Sequence, residues 1–251
     1  MIGIGIARRL VAGTAALLLA ASLGLSSTGP AASTPSGRSS PSCGSGLAAD
    51  LHNLGDARQL VTVLVAGPGT THALLQRWMR RAGGCFERIG QTMPALIGRS
   101  GVSTHHVEGD GTTPVGLFSF EMTMYGIEPN PGVRFAYHRL VCGDWWDEQS
   151  SSPLYNRFIH VPCGTVPGFA PVSEALWLIA PAYDWLAVID YNSAPVVPGR
   201  GSGIFLHFST GVPTVGCVAL GVEDLIATLR WLDPGHHPRI AIGTASELAS
   251  L

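Results

Sequence analysis

The chain has 251 residues, five of them cysteine, and carries a formal net charge of -2. This length is sufficient for one sizeable hydrophobic core. The charge excludes the strongly basic surface on which nucleic-acid binding depends. Only 13% of the residues are charged, whereas 32 are glycine and 18 are proline. Such a composition is typical of a fold with many turns and short elements.

The N-terminus has the features of a secretory leader. Arg8 and Arg9 precede an apolar stretch over residues 10–25, and small residues follow up to a cleavage site predicted near Ala32. A permanent membrane anchor is the alternative interpretation. It is the weaker one, because the apolar stretch is short and rich in Ala and Gly. We therefore predict a signal peptide over residues 1–32 and an extracytoplasmic mature protein.

The remaining chain divides into a linker, one domain and a short tail. Ser, Pro and Gly dominate after the leader, which predicts a disordered linker over residues 33–58. The pattern is globular over residues 59–243 and contains no internal repeat, so we expect a single domain there. Residues 244–251 form a tail.

Most of the predicted elements are strands. Residues 60–65 predict the first strand, which ends at the turn of residues 67–69. Residues 72–81 fit either a short helix capped by Thr70 or Thr71, or a strand that packs Leu74, Leu75 and Trp78. Further strands are predicted over residues 117–122, 176–180, 186–191 and 204–208.

One helix stands out near the C-terminus. Over residues 222–233 the apolar side chains share one helical face, and Pro234 with Gly235 ends the pattern. A last strand is predicted over residues 239–242. The sequence therefore predicts a mainly β fold of mixed sheets, β-sandwich-like, with one or two short helices.

The five cysteines are consistent with an oxidising compartment. An odd number leaves one thiol over, although sequence alone does not fix which. We predict the disulfides Cys43–Cys85 and Cys142–Cys163, which leave Cys217 as the free thiol.

Cys217 lies ten residues after a histidine at the end of a predicted buried strand, with a glycine-containing turn between them. An ordinary thiol is only a few per cent thiolate at neutral pH, and a nearby imidazole accepts its proton. His207 is therefore the candidate base and Cys217 the candidate nucleophile. Gly216 allows close backbone approach, and the N–H groups of Gly216 and Cys217 are candidate oxyanion donors. The alternative is a small buried cysteine beside a core histidine.

These residues resemble the L,D-transpeptidase catalytic domain family, also called YkuD or ErfK/YbiS. The family signature of His, a Gly-containing loop and Ser/Thr-x-Gly-Cys matches His207, Thr214, Gly216 and Cys217. Residues 109–118 are similar to the strand entry of the family, and residues 143–147 with 151–156 are similar to exported actinobacterial-type members. The resemblance extends over residues 61–243.

The resemblance implies a cysteine enzyme of the cell wall. Cys217 would be acylated by a peptidoglycan tetrapeptide stem with loss of the terminal D-Ala, and transfer to an amine would form a 3→3 cross-link. With water as acceptor the activity would be that of an L,D-carboxypeptidase. It also implies acylation by carbapenems and cell-wall association. We expect no cofactor, no metal and a monomer.

Other residues are weaker candidates around this site. Tyr155, Asn156 and Thr214 are candidate substrate contacts, and the carbonyl group of Phe208 is a candidate for orienting His207. Trp145 and Trp146 fit a groove or the core. The pairs His105–His106 and His236–His237 lack a third ligand at metal-binding spacing, and Glu108 with Asp110 fits a turn.

Two residues depart from the family pattern. Val215 stands where many members have His, and Ala219 stands where many have Arg or Asn. They leave a second hypothesis, a secreted peptidoglycan-binding module with weak or no turnover. A thiol hydrolase of an unrelated substrate is the third.

Overall fold

A computed structural model describes residues 47–49 and 51–251 of the protein. The predicted signal peptide, Cys43 and residues 33–46 of the predicted linker lie outside the described residues. Among the residues described, no helix is long and apolar enough to cross a membrane.

Strands dominate the described part of the chain, and two α-helices lie near its C-terminus. In chain order the strands are β1 (Gln59–Val65), β2 (His72–Arg80), β3 (Phe86–Leu96), β4 (Val102–Ser103), β5 (Thr113–Pro114), β6 (Gly116–Gly126), β7 (Ala136–Arg139), β8 (Asp144–Asp147), β9 (Arg157–His160), β10 (Glu174–Ala175), β11 (Leu186–Ile189), β12 (Phe205–Phe208), β13 (Val218–Leu220) and β14 (Arg239–Thr244). The helices are α1 (Val222–Trp231) and α2 (Ala245–Leu248), and short 3-10 helices cover Leu47–Ala49, Ala170–Val172, Leu176–Leu178 and Pro234–His236.

The main sheet mixes parallel and antiparallel pairs. Its nine strands follow the order β11-β12-β13-β3-β2-β1-β14-β6-β7, and β11 also pairs with β6. That pairing joins eight of the strands into a ring, so few edges remain open. Smaller sheets are formed by β10-β8-β9 and β4-β5. The prediction of a mainly β fold with mixed sheets and one or two short helices is confirmed, and the described residues form two α-helices.

The structure decides three local predictions. Residues 72–80 form a strand and not a helix, because β1 and β3 flank β2 and bond its backbone on both sides. The strand predicted over residues 176–180 is wrong, since Leu176–Leu178 is a 3-10 helix that buries Leu176 in the core. The predicted helix over residues 222–233 is confirmed as α1.

Strand alternation divides β12 and β13 between two hydrophobic clusters. Leu206 and Val218 face the larger cluster, which includes the buried face of α1. Phe205 and Cys217 face the second cluster together with Trp146 and Tyr183. Alternate side chains of a strand point to opposite faces, so the free thiol lies on the face away from α1.

The segment before β1 packs against the domain. Leu51 and Leu54 are buried beside Leu60 and Leu248 of α2. The expectation of a disordered segment that reaches residue 58 is therefore not met over residues 51–58, because these apolar side chains gain free energy on leaving water.

One predicted disulfide is present, and it joins Cys142 to Cys163. Cys217 is a free, buried cysteine. Cys85 is also disulfide-bonded, but Cys43 lies outside the described residues, so the Cys43–Cys85 pairing stays a prediction.

We expect the Cys142→Ser/Cys163→Ser double variant to lose about 3 kcal/mol of unfolding free energy, because the bridge closes a loop of 21 residues. Urea unfolding under non-reducing conditions measures the change. Each single variant should lose about as much as the double variant, since either one removes the bridge. Equal urea midpoints for wild type and double variant would contradict this expectation.

Candidate active site

Parallel pairing of β12 with β13 places His207 and Cys217 on one face. His207 lies opposite Ala219, and Leu206 lies opposite Val218. Cys217 precedes Ala219 by two residues and therefore points to the same side as His207. The ten-residue separation in sequence becomes a short diagonal across two neighbouring strands.

The thiol of Cys217 is held by backbone groups. Its sulfur accepts a hydrogen bond from the N–H of Phe205 at 3.3 Å and donates to the carbonyl oxygen of Gly203 at 3.2 Å. Only 8% of the residue is exposed. The thiol hydrogen points to Gly203 and not to the imidazole of His207 in this structure.

His207 is fixed in one orientation by its own strand. Nδ1 donates to the carbonyl oxygen of Phe208 at 2.8 Å, and the ring of Tyr183 packs edge-on against the imidazole. A protonated Nδ1 leaves Nε2 as the acceptor in the neutral ring. The carbonyl group of Phe208 thus has the geometry predicted for an orienting group.

Cys217 borders two cavities. One has a volume of about 160 Å³ and is also lined by His207, Tyr183 and Thr214. The other has a volume of about 260 Å³ and is also lined by His106 and three glutamates. A cavity of about 460 Å³ elsewhere is larger, but neither Cys217 nor His207 lines it.

The loop before Cys217 is stabilised by the hydroxyl group of Thr214. This group donates to the carbonyl oxygen of Cys217 at 2.7 Å and accepts from the N–H of Gly216 at 3.1 Å. Of the two predicted oxyanion donors, Gly216 is therefore bonded within the loop. The N–H of Cys217 bonds to no described residue.

Tyr155 and Asn156 lie behind the site and line neither of its cavities. The Asn156 side chain accepts from Trp146 Nε1 at 3.0 Å and from the N–H of Gly203 at 3.1 Å. Since Gly203 accepts the thiol hydrogen bond, Asn156 positions the backbone that holds the nucleophile. Tyr155 donates a hydrogen bond to Glu108.

Three glutamates of the larger site cavity were not predicted as site residues. Glu108, Glu148 and Glu174 come from segments far apart in the sequence and line the same cavity as Cys217. Ser202 donates to Glu108 at 2.6 Å, and Tyr183 donates to Glu174 at 2.5 Å. Glu148 directly follows β8, but no sequence pattern identifies it.

Burial and like charges shift the pKa values of these groups. Burial, followed by the charges of Glu174 and Glu108, raises the pKa of Glu148 to about 9. Burial raises the pKa of Glu174 to about 7, although the Tyr183 hydroxyl opposes this shift.

The pKa values of the two catalytic candidates are shifted in opposite directions. Burial, then the charge of Glu174, raises the pKa of the Cys217 thiol. Burial lowers the pKa of His207 to about 4, although the backbone carbonyl groups of Phe208 and Ala182 oppose the shift. At neutral pH the resting pair is therefore a thiol and a neutral imidazole, not an ion pair.

The remaining candidates lie in other surroundings. His106 is buried, bonds Thr112 and Asp110 through Nδ1, and lines the glutamate cavity. His237 pairs with Asp56 away from the thiol. Trp146 is a core residue with 1% exposure, and Trp145 packs against Trp177.

Comparison with known proteins identifies the family. A family model described as YkuD, L,D-transpeptidase catalytic domain, matches residues 77–242, about two thirds of the chain. The match contains both His207 and Cys217. No curated protein matches the chain.

The raised pKa of Glu148 predicts a pH-dependent stability. Glu148 binds its proton more tightly in the folded protein than in the unfolded chain. Its contribution to the free energy of unfolding is therefore full below about pH 4.5 and is lost as the pH rises toward about 9. Gln at position 148 cannot ionise. The unfolding free energy of Glu148→Gln should therefore rise relative to wild type as the pH increases through this window.

Urea unfolding at several pH values measures this difference. The exposed Glu128 provides a control, and Glu128→Gln should show no such trend. A pH-independent difference between Glu148→Gln and wild type would contradict the shift.

Proposed function

The chain belongs to the L,D-transpeptidase catalytic domain family, and we propose that it is a cysteine-dependent transpeptidase of peptidoglycan stem peptides. The acyl group is carried by Cys217 and passes to an amine of a second stem, forming a 3→3 cross-link. The observation that carries the proposal is the free thiol of Cys217, which shares a cavity with the imidazole of His207, whose Nδ1 bonds to the carbonyl group of Phe208.

Acylation is a general-base reaction under this proposal. The thiol hydrogen passes to Nε2 of His207 as the sulfur bonds to the scissile carbonyl carbon. The C–N bond to D-Ala then breaks, and the proton passes from His207 to the departing amine. The N–H of Cys217, which bonds to no described residue, is the available donor to the developing oxyanion.

Burial of the Cys217 thiol and the His207 imidazole favours proton transfer during acylation over proton transfer before it. The raised pKa of Cys217 and the lowered pKa of His207 disfavour a preformed thiolate–imidazolium pair. The proton is therefore transferred only when the substrate carbonyl group accepts the electron pair of sulfur. An inert resting thiol is also less prone to oxidation outside the cytoplasm.

We further propose an extracytoplasmic, cell-wall-associated location. Support comes from the sequence features of the leader over residues 1–32 and from the Cys142–Cys163 disulfide. Disulfides persist in oxidising compartments and are rare in the cytosol.

A carbapenem tests the nucleophile directly. Opening of the β-lactam ring by the thiol retains all atoms, so the protein mass should increase by the full mass of the reagent, with the adduct on Cys217. Cys217→Ala should form no adduct. Binding of peptidoglycan without any adduct would instead support a wall-binding module.

The base is tested by His207→Asn. The Asn amide retains a donor to Phe208 but lacks Nε2, so we expect acylation to slow by about 10²- to 10⁴-fold. Stopped-flow or mass measurements give the rate. The exposed His72 provides the matched control His72→Asn, which should react at the wild-type rate. Wild-type acylation by His207→Asn would eliminate the role of this imidazole.

A further inference from the structure

The second cavity beside Cys217 is acidic. Glu108, Glu148 and Glu174 line it together with Gly203, Gly216 and the nucleophile itself. The basic side chain among its described lining residues is His106, whose Nδ1 is already occupied by Thr112 and Asp110. Three carboxyl groups thus surround a space of about 260 Å³ without a neutralising cation.

The three carboxyl groups differ in how they are held. Tyr155 and Ser202 donate to Glu108, and Tyr183 donates to Glu174. Glu148 makes no side-chain hydrogen bond to a described residue, and one of its oxygens lies close to the backbone of Gly203. Two carboxyl groups are therefore fixed and oriented by protein donors, whereas the carboxyl group of Glu148 has no donor among the described residues and lies next to Gly203, which accepts from the thiol.

Such an arrangement is complementary to an organic ammonium group. Charged hydrogen bonds to carboxylates are about twice as strong as neutral ones, and a cation relieves the mutual repulsion of buried carboxyl groups. Within the described residues, no three His, Cys, Asp or Glu side chains are grouped closely enough to hold one metal ion. The spacing therefore favours several separate N–H donors over a shared metal.

The two cavities also differ in the step that each can serve. The leaving amine of the donor must be protonated by His207, so the donor occupies the cavity that His207 lines. Cys217, Glu174 and Val215 line both cavities, whereas His207 does not line the acidic one. An amine held in the acidic cavity is therefore next to the acyl carbon on sulfur and leaves the space beside His207 to the donor.

We propose that the acidic cavity of Glu108, Glu148 and Glu174 is the acceptor subsite, which selects a primary ammonium group over water. This inference rests on the proposed function and refines it, because it concerns the second half-reaction of the same enzyme. It assigns a specificity role to residues of this chain outside the His–Cys motif.

The bound ammonium group loses one proton to a carboxylate of the cavity and becomes a neutral amine. Its nitrogen bonds to the thioester carbonyl carbon, the C–S bond breaks, and the electron pair returns to the sulfur of Cys217. The second proton leaves the new amide nitrogen and restores the thiol, and the carboxylic acid releases its proton to water.

The test measures how a preformed acyl-enzyme divides between two acceptors. A stem tetrapeptide acylates the full-length protein, and the ratio of amide product to hydrolysed product is measured with a cationic primary amine and with hydroxylamine, which is neutral at pH 7. In Glu148→Gln the ratio for the cationic amine should fall at least about tenfold, whereas that for hydroxylamine should change little.

Glu121→Gln is the matched control. Glu121 lies on β6 and is also partly buried, and burial raises its pKa to about 7, but it does not line the cavity. Its ratio should equal that of wild type. Glu174→Gln, in which the amide oxygen can still accept from Tyr183, changes a carboxyl group that lines both cavities, so its acylation rate is measured together with its product ratio.

The outcomes separate this inference from the proposed function. Absence of any adduct on Cys217 in wild type overturns the enzyme itself. Normal acylation with equal ratios in wild type and both Gln variants overturns the acceptor subsite alone. Slower acylation with an unchanged ratio would assign the carboxyl groups to the donor and also overturns it, as would Ca²⁺ binding that Glu148→Gln abolishes.

Discussion

The parallel register between β12 and β13 is the constraint on which the site depends. It brings His207 opposite Ala219 and thereby sets Cys217 on the same face. A shift of one residue would turn the thiol into the cluster that packs against α1. Burial stabilises this register, because Leu206 and Val218 pack in that cluster and are fully buried. Core packing on the face toward α1 therefore positions His207 and Cys217 on the opposite face.

A second set of contacts fixes the thiol within this register. Trp146 and Gly203 both donate to the Asn156 side chain, and Gly203 in turn accepts from the thiol. Thr214 secures the loop on the opposite side through the carbonyl group of Cys217. Buried polar networks of this kind are rigid because each unpaired group would be costly. Their effect on reactivity is to hold the sulfur still, not to touch the substrate.

The sequence predicted what is encoded locally. The candidate nucleophile and base lie within eleven consecutive residues, and α1 has an unambiguous apolar face, so short-range patterns identified both. Residues 72–80 were ambiguous because their apolar side chains fit two periodicities, and only pairing with β1 and β3 decides between them. Residues 176–178 read as a strand because apolar runs do not distinguish buried strands from other buried segments.

The surroundings of the sulfur could not be predicted in this way. Glu108, Glu148 and Glu174 are brought together only by the tertiary fold; in sequence, Glu108 fits a turn with Asp110, and no pattern identifies Glu148 or Glu174. Asn156 and Tyr155 are predicted as substrate contacts, but neither lines the cavity, and each instead bonds to a residue that does, Gly203 and Glu108 respectively. Aromatic and amide side chains near a motif have the same appearance in sequence whether they face substrate or support the backbone.

The electrostatics of the two half-reactions are linked through these carboxyl groups. Glu174 and Glu148 add to the effect of burial in raising the pKa of Cys217, so they make the thiolate a poor leaving group from the thioester. Water brings no charge to offset this effect. A cationic acceptor in the same cavity would reduce the repulsion at the moment when the electron pair returns to sulfur. The carboxyl groups that disfavour the thiolate in the resting enzyme would then favour aminolysis over hydrolysis. Only the amine brings a positive charge that offsets their negative charge in the transition state.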